Sequence, residues 1–376
     1  MKISLSKPNI SEKEKQAVLD VLSSGWLTHG PKNKEFESLF SGYIGVRNSI
    51  TLNSCASSLF LALKAKNITQ EVIVPSFTFS ASVNAIVTAG ATPVFVDINY
   101  KDCNIDVSKI EKQITEKTQA IMVVHFAGQC CEMLEINKIC KKYNLFLIED
   151  SAEAIGATYN YLPSGSWGVG CFSFFPTKNI TTCEGGMLTT NDEELAEHVR
   201  TLSGHGIKKS TLEREDTEIN WYRDCVIPGY NFRMSNILAA IGVEQMKRLD
   251  VMNYQRRVNS KLLISLLEEV EEINLPYENE NCKHVYQMFT IKLKKGNRDN
   301  LVKLLRKNNI EASVHFTPAV HQQTAHKKFC KLGVDLKVTE EVANKIITLP
   351  MYPQLSQKEI EYIAKTLKKL IIENRG

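Results

Sequence analysis

The sequence predicts an α/β protein in which helices cover both faces of a mostly parallel central sheet. The first observation is that short apolar runs of strand length alternate with helical apolar spacing as far as residue 245. Such alternation is typical of parallel strands joined by crossover helices. The second observation is a change of pattern near that residue, after which the chain predicts a smaller α+β unit. A chain of 376 residues is long enough for two to three domains of about 150 residues each.

The first helix is predicted by Ser11 and Glu14, which fit a capping box in which each side chain binds the other residue's backbone N–H. Val21 and Leu22 continue the helical spacing, and Gly25 is expected to end the helix. Six apolar runs downstream predict strands. They cover residues 71–75, 93–98, 120–126, 145–150, 171–175 and 187–190.

Residues 235–270 contain few helix breakers and predict one or two long helices, over 237–249 and 258–267, that bridge two domains. After Pro276 the pattern predicts a strand at 288–293, a helix at 298–308, a strand at 311–316 and closing helices at 339–347 and 357–370. We therefore divide the chain into a large domain at 1–245, which includes the N-terminal segment, and a smaller C-terminal domain at 246–376.

Composition and charge exclude several classes of protein. The content of 43% hydrophobic and 23% charged residues is that of a globular protein, and the net charge of +4 is spread along the chain rather than concentrated as in nucleic-acid-binding proteins. No apolar segment reaches the length of about 18 residues that a membrane span requires. The ten cysteines form no C-x-x-C pair, which favours reduced thiols and no metal site. We expect a cytoplasmic protein without membrane insertion.

Polar residues follow the apolar runs at three places, where ligands bind in open parallel sheets. The run LFLIED ends in Glu149 and Asp150, and the run from residue 171 leads to Lys178 in a loop closed by glycines. Residues 52–58, LNSCASS, precede a helical pattern, and a helix N-terminus suits a phosphate. Each feature also has a simpler explanation. The carboxylates at the end of LFLIED can cap the next helix, Lys178 can be an exposed surface residue, and residues 52–58 can be an ordinary capped helix start.

Taken together, the three places match the requirements of pyridoxal phosphate. An amine forms a Schiff base with the cofactor's aldehyde, a carboxylate keeps the pyridine nitrogen protonated, and hydrogen-bond donors hold the phosphate. Lys178, Asp150 and the helix that begins near Cys55 supply one group of each kind. The sequence therefore predicts a binding site for this cofactor.

The residues stand within longer motifs that resemble the nucleotide-sugar aminotransferases of the DegT type. The likeness covers nearly the whole chain and implies the type I fold of pyridoxal-phosphate-dependent transferases, the fold class of aspartate aminotransferase. The motifs are SGWLTHGPKNKEFE (24–37), VPSFTFSASVNAI (74–86), IEDSAEAIGA (148–157), FSFFPTKNITTCEGGMLTTND (172–192), GYNFRMSNILAAIG (229–242) and LPMYPQLS (349–356).

The resemblance implies a role for each matching residue. Lys178 is implied to be the catalytic residue, which forms the Schiff base and later moves the proton between substrate and cofactor. Asp150 is implied to pair with the pyridine nitrogen, and Phe79 to stack on the face of the ring.

Four further residues are implied to hold the phosphate. Ser173 and the backbone at Cys55 and Ala56 come from the same chain, whereas Asn231 reaches the phosphate of the neighbouring subunit. The resemblance therefore implies a homodimer with shared active sites.

Two positions depart from the family pattern. Ala56 stands where relatives usually carry threonine, so that one phosphate-binding hydroxyl is lost. Glu153 stands where glutamine or histidine is frequent beside the cofactor's ring oxygen. A second carboxylate near Asp150 raises the cost of keeping both ionised, so one of them is expected to be protonated or paired with a base.

The expected substrate residues come from two segments. His315, Phe316 and His321 match a segment that lines the sugar-nucleotide site in relatives, although a loop with incidental histidines explains them equally well. The same two interpretations apply to Trp26 and Thr28, near the N-terminus, which are candidates for the same site.

The predicted reaction moves an amino group from an amino acid, with L-glutamate as the expected donor, to a keto group of a nucleotide-linked deoxy-keto-hexose. A 4-keto-6-deoxy sugar is favoured over a 3-keto sugar. One alternative is a sugar dehydratase of the same fold, which usually has histidine in place of Lys178. Another is a non-catalytic regulator that binds the cofactor or a sugar nucleotide. A nicotinamide-dependent oxidoreductase is disfavoured, because GSWGVG at residues 165–170 lacks the spacing of the G-x-G-x-x-G turn.

Overall fold

The structure, a computed structural model, describes residues 2–215, 221–330 and 334–373. The helices in these ranges are α1 (Glu12–Ser24), α2 (Pro31–Ile44), α3 (Cys55–Ala65), α4 (Ser80–Ala89), α5 (Val107–Ile110), α6 (Met133–Tyr143), α7 (Glu193–Ser203), α8 (Thr211–Glu215), α9 (Asn236–Met246), α10 (Leu249–Leu267), α11 (Arg298–Lys307), α12 (Lys337–Lys345) and α13 (Gln357–Glu373). The strands are β1 (Asn48–Leu52), β2 (Glu71–Pro75), β3 (Thr92–Val96), β4 (Thr118–Val124), β5 (Phe146–Asp150), β6 (Thr158–Tyr159), β7 (Leu162–Pro163), β8 (Val169–Ser173), β9 (Gly186–Thr190), β10 (Ile273–Asn274), β11 (Cys282–Lys283), β12 (Phe289–Leu293) and β13 (Ile346–Leu349). Within the described ranges, no helix is both long and apolar enough to cross a membrane.

The central sheet has seven strands in the order β1-β9-β8-β5-β4-β2-β3. The five strands from β3 to β8 in that order run parallel to one another. The strands β9 and β1 close the other edge with antiparallel pairs. The predicted α/β fold with a mostly parallel sheet is therefore confirmed.

All six predicted strands of the large domain are present, but the sequence reasoning missed β1. Its sequence, NSITL, alternates polar and apolar residues, as a strand with one solvated face does. In the structure every residue of β1 except Asn48 is buried, because helix α2 covers Ser49 and Thr51. The hydroxyl of Ser49 donates to the backbone carbonyl of Glu37 at 2.5 Å, and the hydroxyl of Thr51 donates to the carboxylate of Glu37 at 2.8 Å.

Helix α1 has the predicted capping box. The N–H of Ser11 donates to the carboxylate of Glu14 at 2.8 Å, and the hydroxyl of Ser11 accepts from the N–H of Lys13 at 3.3 Å. Gly25 follows the helix with a φ of 73°, a left-handed conformation that residues with a Cβ rarely adopt. The predicted bounds of this helix are confirmed.

The smaller unit contains a three-stranded antiparallel sheet in the order β10-β12-β13. The strand predicted at residues 311–316 is wrong, since Ser313 forms only an isolated bridge with Thr348. The predicted helix at 339–347 is wrong in its last two residues, because α12 ends at Lys345 and the next residues form β13. The run IITL of β13 pairs with β12 along its whole length, and all four residues are buried.

Helix α10 packs in the hydrophobic clusters of both units. Leu249 and Met252 pack in a hydrophobic cluster of the larger unit, whereas Leu263 and Leu267 pack in the core of the smaller one. Between them, buried Arg256 donates to the carbonyl oxygens of Tyr286, Gln287 and Met351 at 3.4, 3.3 and 2.9 Å. Burial lowers the pKa of Arg256 to about 10. The domain boundary near residue 245 stays a prediction.

The N-terminal segment lies on the smaller unit, although the prediction assigned it to the larger one. Ile3 is fully buried, belongs to the smaller unit's hydrophobic core, and its N–H donates to the carbonyl of Asn309 at 2.8 Å. The carbonyl of Leu5 accepts from the N–H of Met351 at 3.1 Å. Backbone pairing at both points fixes the direction in which the segment runs.

Candidate active site

A cavity of about 430 Å³ opens between the two units, at the carboxyl ends of the parallel strands. It brings together nine of the residues that the sequence predicts for the site. They are Cys55, Ala56, Phe79, Asp150, Glu153, Ser173, Lys178, His315 and Phe316. Leu5, Gln287 and Met351 of the smaller unit also line it, and sequence reasoning gave these three no role.

Asp150 is the last residue of β5 and is only 6% exposed. One carboxylate oxygen accepts from the hydroxyl of Ser82 at 2.7 Å, and the other accepts from the N–H of Ala152 at 3.2 Å. Burial is the largest influence on this group and raises the pKa of Asp150, while the two hydrogen bonds lower it. The carboxylate of Asp150 therefore has two hydrogen-bond donors, and no lysine or arginine of the described residues forms an ion pair with it.

Lys178 lies in the loop between β8 and β9. Two backbone hydrogen bonds set its position. The N–H of buried Phe174 donates to the carbonyl of Gly185 at 2.9 Å, and the N–H of Lys178 donates to the carbonyl of Phe175 at 2.9 Å. The amine Nζ is 3.4 Å from Oε1 of Glu153. The lysine is therefore held inside the cavity by its loop and by one ion pair.

Glu153 has a partner for each of its oxygens. Oε2 accepts from the N–H of Ala127 at 2.8 Å, and Oε1 faces Lys178. The sequence reasoning expected one of the two carboxylates to be protonated or paired with a base, and the ion pair with Lys178 corresponds to the second alternative. Its role toward the cofactor stays a prediction.

The N-terminus of α3 meets β9 at very close range. Ser54 caps the helix by accepting from the N–H of Ser57 at 3.1 Å. Cys55 and Ala56, the first two residues of the helix, line the cavity, and their N–H groups have no acceptor within the helix. Gly186 of β9 approaches so closely that a Cβ there would lie 2.3 Å from the carbonyl carbon of Ser54 and 2.5 Å from the nitrogen of Cys55. Only glycine permits this contact.

We expect Gly186→Ala to weaken binding of pyridoxal phosphate about tenfold or more, because the added Cβ pushes the start of α3 away from the cavity. Equilibrium dialysis measures the affinity for the cofactor, and thermal melting shows whether the substitution also lowers the stability of the fold. The matched control is Gly42→Ala in α2, where a Cβ meets nothing within 4 Å. If both variants bind the cofactor like the unchanged protein, the close approach at Gly186 has no part in forming the site.

Two aromatic residues form a wall of the cavity. Phe79 precedes α4 and leaves 61% of its surface exposed, although large apolar side chains are normally buried. The ring of Phe316 lies 6.0 Å from it, centroid to centroid. An exposed ring at the cavity has room for a planar ligand on its free face.

His315 lies beside this wall and contacts Thr348, with 2.8 Å between Nδ1 and Oγ1. Burial is the main cause that lowers the pKa of His315, which keeps the imidazole neutral at neutral pH. Because Nδ1 binds Thr348, the neutral imidazole offers only Nε2 to a substrate, as a donor or as an acceptor.

Four predicted residues do not line the cavity. Asn231 is exposed and accepts from Arg233 at 3.2 Å. Trp26 donates to the carbonyl of His29 at 3.1 Å, and Thr28 is exposed. His321 is only 5% exposed and lies 3.3 Å from Glu340, so it packs in the protein interior instead.

A larger cavity, of about 690 Å³, is lined by none of the predicted site residues. Its wall includes Lys34, Arg47, Arg200 and Arg233, with Glu37 and Glu213. Its buried carboxylate, Glu37, already forms an ion pair with Arg200 at 2.8 Å, and neither Lys178 nor Asp150 lines it. We therefore place the candidate active site in the smaller cavity.

Sequence reasoning also missed two hydroxyl groups behind Asp150. Ser82 of α4 and Thr78 before it are both fully buried, and their oxygens are 2.8 Å apart. Both belong to the motif VPSFTFSASVNAI, in which only the aromatic residue was given a role. The signal available in the sequence was a pair of hydroxyl residues four positions apart directly after a buried strand.

The groups in the cavity fit pyridoxal phosphate. A buried carboxylate suits the ring nitrogen, the exposed ring of Phe79 suits the ring face, and the Lys178 amine suits the aldehyde. The start of α3 suits the phosphate. Among the described residues, no group of three histidine, cysteine or carboxylate side chains could hold a metal ion.

Two curated relatives are similar over almost their whole length. The UDP-4-amino-4-deoxy-L-arabinose--oxoglutarate aminotransferase of Shewanella sediminis is 34% identical, over 98% of this chain and 97% of that protein. The GDP-perosamine synthase of Caulobacter vibrioides is 36% identical, over 99% of both chains.

The fold is that of a solved structure with the cofactor. The PLP-form of Spr1654 from Streptococcus pneumoniae superimposes with a TM-score of 0.91 and 31% identity, over 99% of both chains. The sequence pattern of the DegT/DnrJ/EryC1/StrS aminotransferase family matches residues 8–368. This chain belongs to the DegT/DnrJ/EryC1/StrS aminotransferase family and is a pyridoxal-phosphate-dependent aminotransferase.

Proposed function

We propose that the enzyme moves the amino group of L-glutamate to the keto group of a nucleotide-linked deoxy-keto-hexose, a 4-keto-6-deoxy sugar in preference to a 3-keto sugar. The observation that carries the proposal is the amine of Lys178 in a cavity that also holds the buried carboxylate of Asp150. Both relatives are named for a nucleotide-linked sugar, and the name of one pairs a 4-amino sugar with oxoglutarate, the product of glutamate deamination.

Lys178 is proposed to have two roles. Its amine attaches the cofactor and then moves the proton between the reacting carbon of the substrate and that of the cofactor. Bound pyridoxal phosphate supplies an electron sink for the negative charge at the reacting carbon. Glu153, 3.4 Å from Nζ, holds the lysine while it carries a proton. The same residue serves both half-reactions, so that the kinetics are expected to be ping-pong.

Asp150 is proposed to keep the cofactor's ring nitrogen protonated. This role requires the ionised carboxylate, which burial opposes and the bonds from Ser82 and Ala152 favour. Phe79 is proposed to pack on the ring, and the start of α3 with Ser173 to hold the phosphate.

Asn231 is proposed to complete the site of a second copy of the chain. The residue is exposed and lies outside the cavity of its own chain, as a residue that serves a neighbour must. We also propose a cytoplasmic location, which the ten unpaired cysteines support because thiols stay reduced in that compartment.

The first test is the absorbance spectrum of the purified protein with pyridoxal phosphate, before and after addition of L-glutamate. We expect a visible band that glutamate converts to the near-ultraviolet band of the aminated cofactor. Succinate, which has two carboxylates and no amine, is the control and should leave the visible band in place. A panel of 4-keto and 3-keto nucleotide sugars should then restore the band. Failure of glutamate to change the spectrum contradicts the proposed donor, and restoration by the 3-keto sugars alone contradicts the proposed acceptor.

A further inference from the structure

Ser82 links helix α4 to the end of β5. Its side chain is fully buried, and its hydroxyl lies 2.7 Å from Oδ2 of Asp150, a residue 68 positions later in the sequence. Thr78, one helical turn before Ser82, lies 2.8 Å from the Ser82 oxygen. The three residues form a chain of hydrogen bonds that ends on the carboxylate.

The ionisation state of Asp150 fixes the direction of this chain. An ionised carboxylate only accepts hydrogen bonds, so Ser82 donates to Asp150 and must accept from Thr78. In the reverse direction Thr78 would have to donate to the carbonyl of Phe79, at 3.4 Å rather than 2.8 Å. The distances between these oxygens are the same in both directions, so the direction follows from the ionisation state of Asp150 and not from bond length.

The other groups that face Asp150 are few. From α3, Sγ of Cys55 lies 3.9 Å from Oδ1, and from β8 the thiol of Cys171 approaches it. Burial raises the pKa of both thiols well above the usual range, so neither carries a charge. Lys178 favours the ionised carboxylate and Glu153 opposes it. Among these influences, the hydroxyl of Ser82 is the direct side-chain donor at short distance.

We infer that Ser82 is a positioning residue for the aminotransferase reaction, and that with Thr78 it keeps the Asp150 carboxylate oriented and ionised. The inference rests on the proposed role of Asp150. It also accounts for a hydroxyl that is fully buried at this point of α4. The start of α4 would then contribute to the cofactor site in two ways, directly through the ring of Phe79 and indirectly through the bond from Ser82 to Asp150.

The test is the pH dependence of the reaction with L-glutamate in the cofactor-loaded enzyme. In Ser82→Ala the pKa of Asp150 rises further, because burial remains and its strongest neutral donor is lost. The ionised form is lost as the pH falls through that pKa, so the acidic limb of the profile should move upward by about one pH unit. At pH values on that limb, turnover should fall about tenfold. Thr78→Val should shift the limb in the same direction by less.

Two variants serve as controls. Ser82→Thr keeps the hydroxyl and should keep the limb near its original position. Thr88→Ala removes an exposed hydroxyl of the same helix that binds only backbone carbonyls within that helix, at Asn84 and Ala85, and it should change nothing. A Ser82→Ala enzyme with lower turnover but an unmoved acidic limb overturns the inference, because a merely structural role would give that result.

A second readout does not depend on activity. Infrared spectroscopy of the full chain without cofactor follows the carboxyl band that Asp150→Asn removes. Its pH midpoint should be higher in Ser82→Ala than in the unchanged protein, and an equal midpoint overturns the inference. If the protein fails to respond to glutamate, the proposed function fails, while this titration still decides the role of Ser82.

Discussion

Lys178→Ala should lower turnover about a thousandfold or more while the protein still folds. The variant loses the only amine among the described residues that line the cavity, and with it both the attachment of the cofactor and the general base. The ion pair with Glu153 is mostly buried, so its loss should lower the melting temperature, but Glu153 keeps its bond to the N–H of Ala127 and the fold should be retained. Steady-state assays with L-glutamate, together with thermal melting, measure the two effects.

Lys178→Arg separates charge from chemistry. Arginine can keep the ion pair with Glu153, but its guanidinium stays protonated and cannot attach the cofactor. We expect it to be as inactive as the alanine variant, and a small primary amine added to Lys178→Ala should restore part of the proton transfer. Near-normal turnover in either variant would show that the reaction does not pass through this lysine.

Asp150→Asn should reduce turnover roughly a hundredfold or more, because an amide cannot hold the ring nitrogen of the cofactor in its protonated state. The pH profile should also lose the acidic limb that Asp150 contributes. Since burial raises the pKa of Asp150, the ionised side chain destabilises the folded protein at neutral pH. The asparagine variant is therefore expected to melt at the same temperature or higher.

The combination of lower activity and retained stability distinguishes a functional carboxylate from a structural one. A structural Asp150 would give the opposite pattern, with nearly full turnover and a lower melting temperature. Glu153→Gln is the comparison variant for the second carboxylate, because it removes the charge that faces Lys178 and leaves the bond network of Asp150 intact. A mild effect at Asp150 with a severe one at Glu153 would move the role to the second carboxylate.

The sequence predicted those parts of the fold that local patterns specify. The capping box at Ser11 and the continuous apolar strands such as β2 depend on residues close together in the chain. The run of β13 was misassigned because four apolar residues after a helix fit either a last helical turn or a strand. The pairing with β12, more than fifty residues earlier, decides the outcome.

In the candidate site too, residues with a local sequence signal could be predicted, and residues defined by distant contacts could not. Asp150 and Lys178 could be found because strand-end polar residues have a known meaning in parallel sheets. Ser82 could not be found, because its partner lies 68 residues away and a serine in the first turn of a helix is ordinary. Leu5 and Gln287 line the cavity from the smaller unit, and no local pattern links either of them to β5 or β8.

The pairing of the N-terminal segment has a consequence for how the protein is made. Ile3 and Leu5 bind the backbone at Asn309 and Met351, so their partners are synthesised more than 300 residues later. The strands of the central sheet are complete long before that point, once Thr190 has emerged. During translation, the segment must wait unpaired while the sheet folds. The cavity wall that contains Leu5 therefore forms after the sheet that carries Asp150.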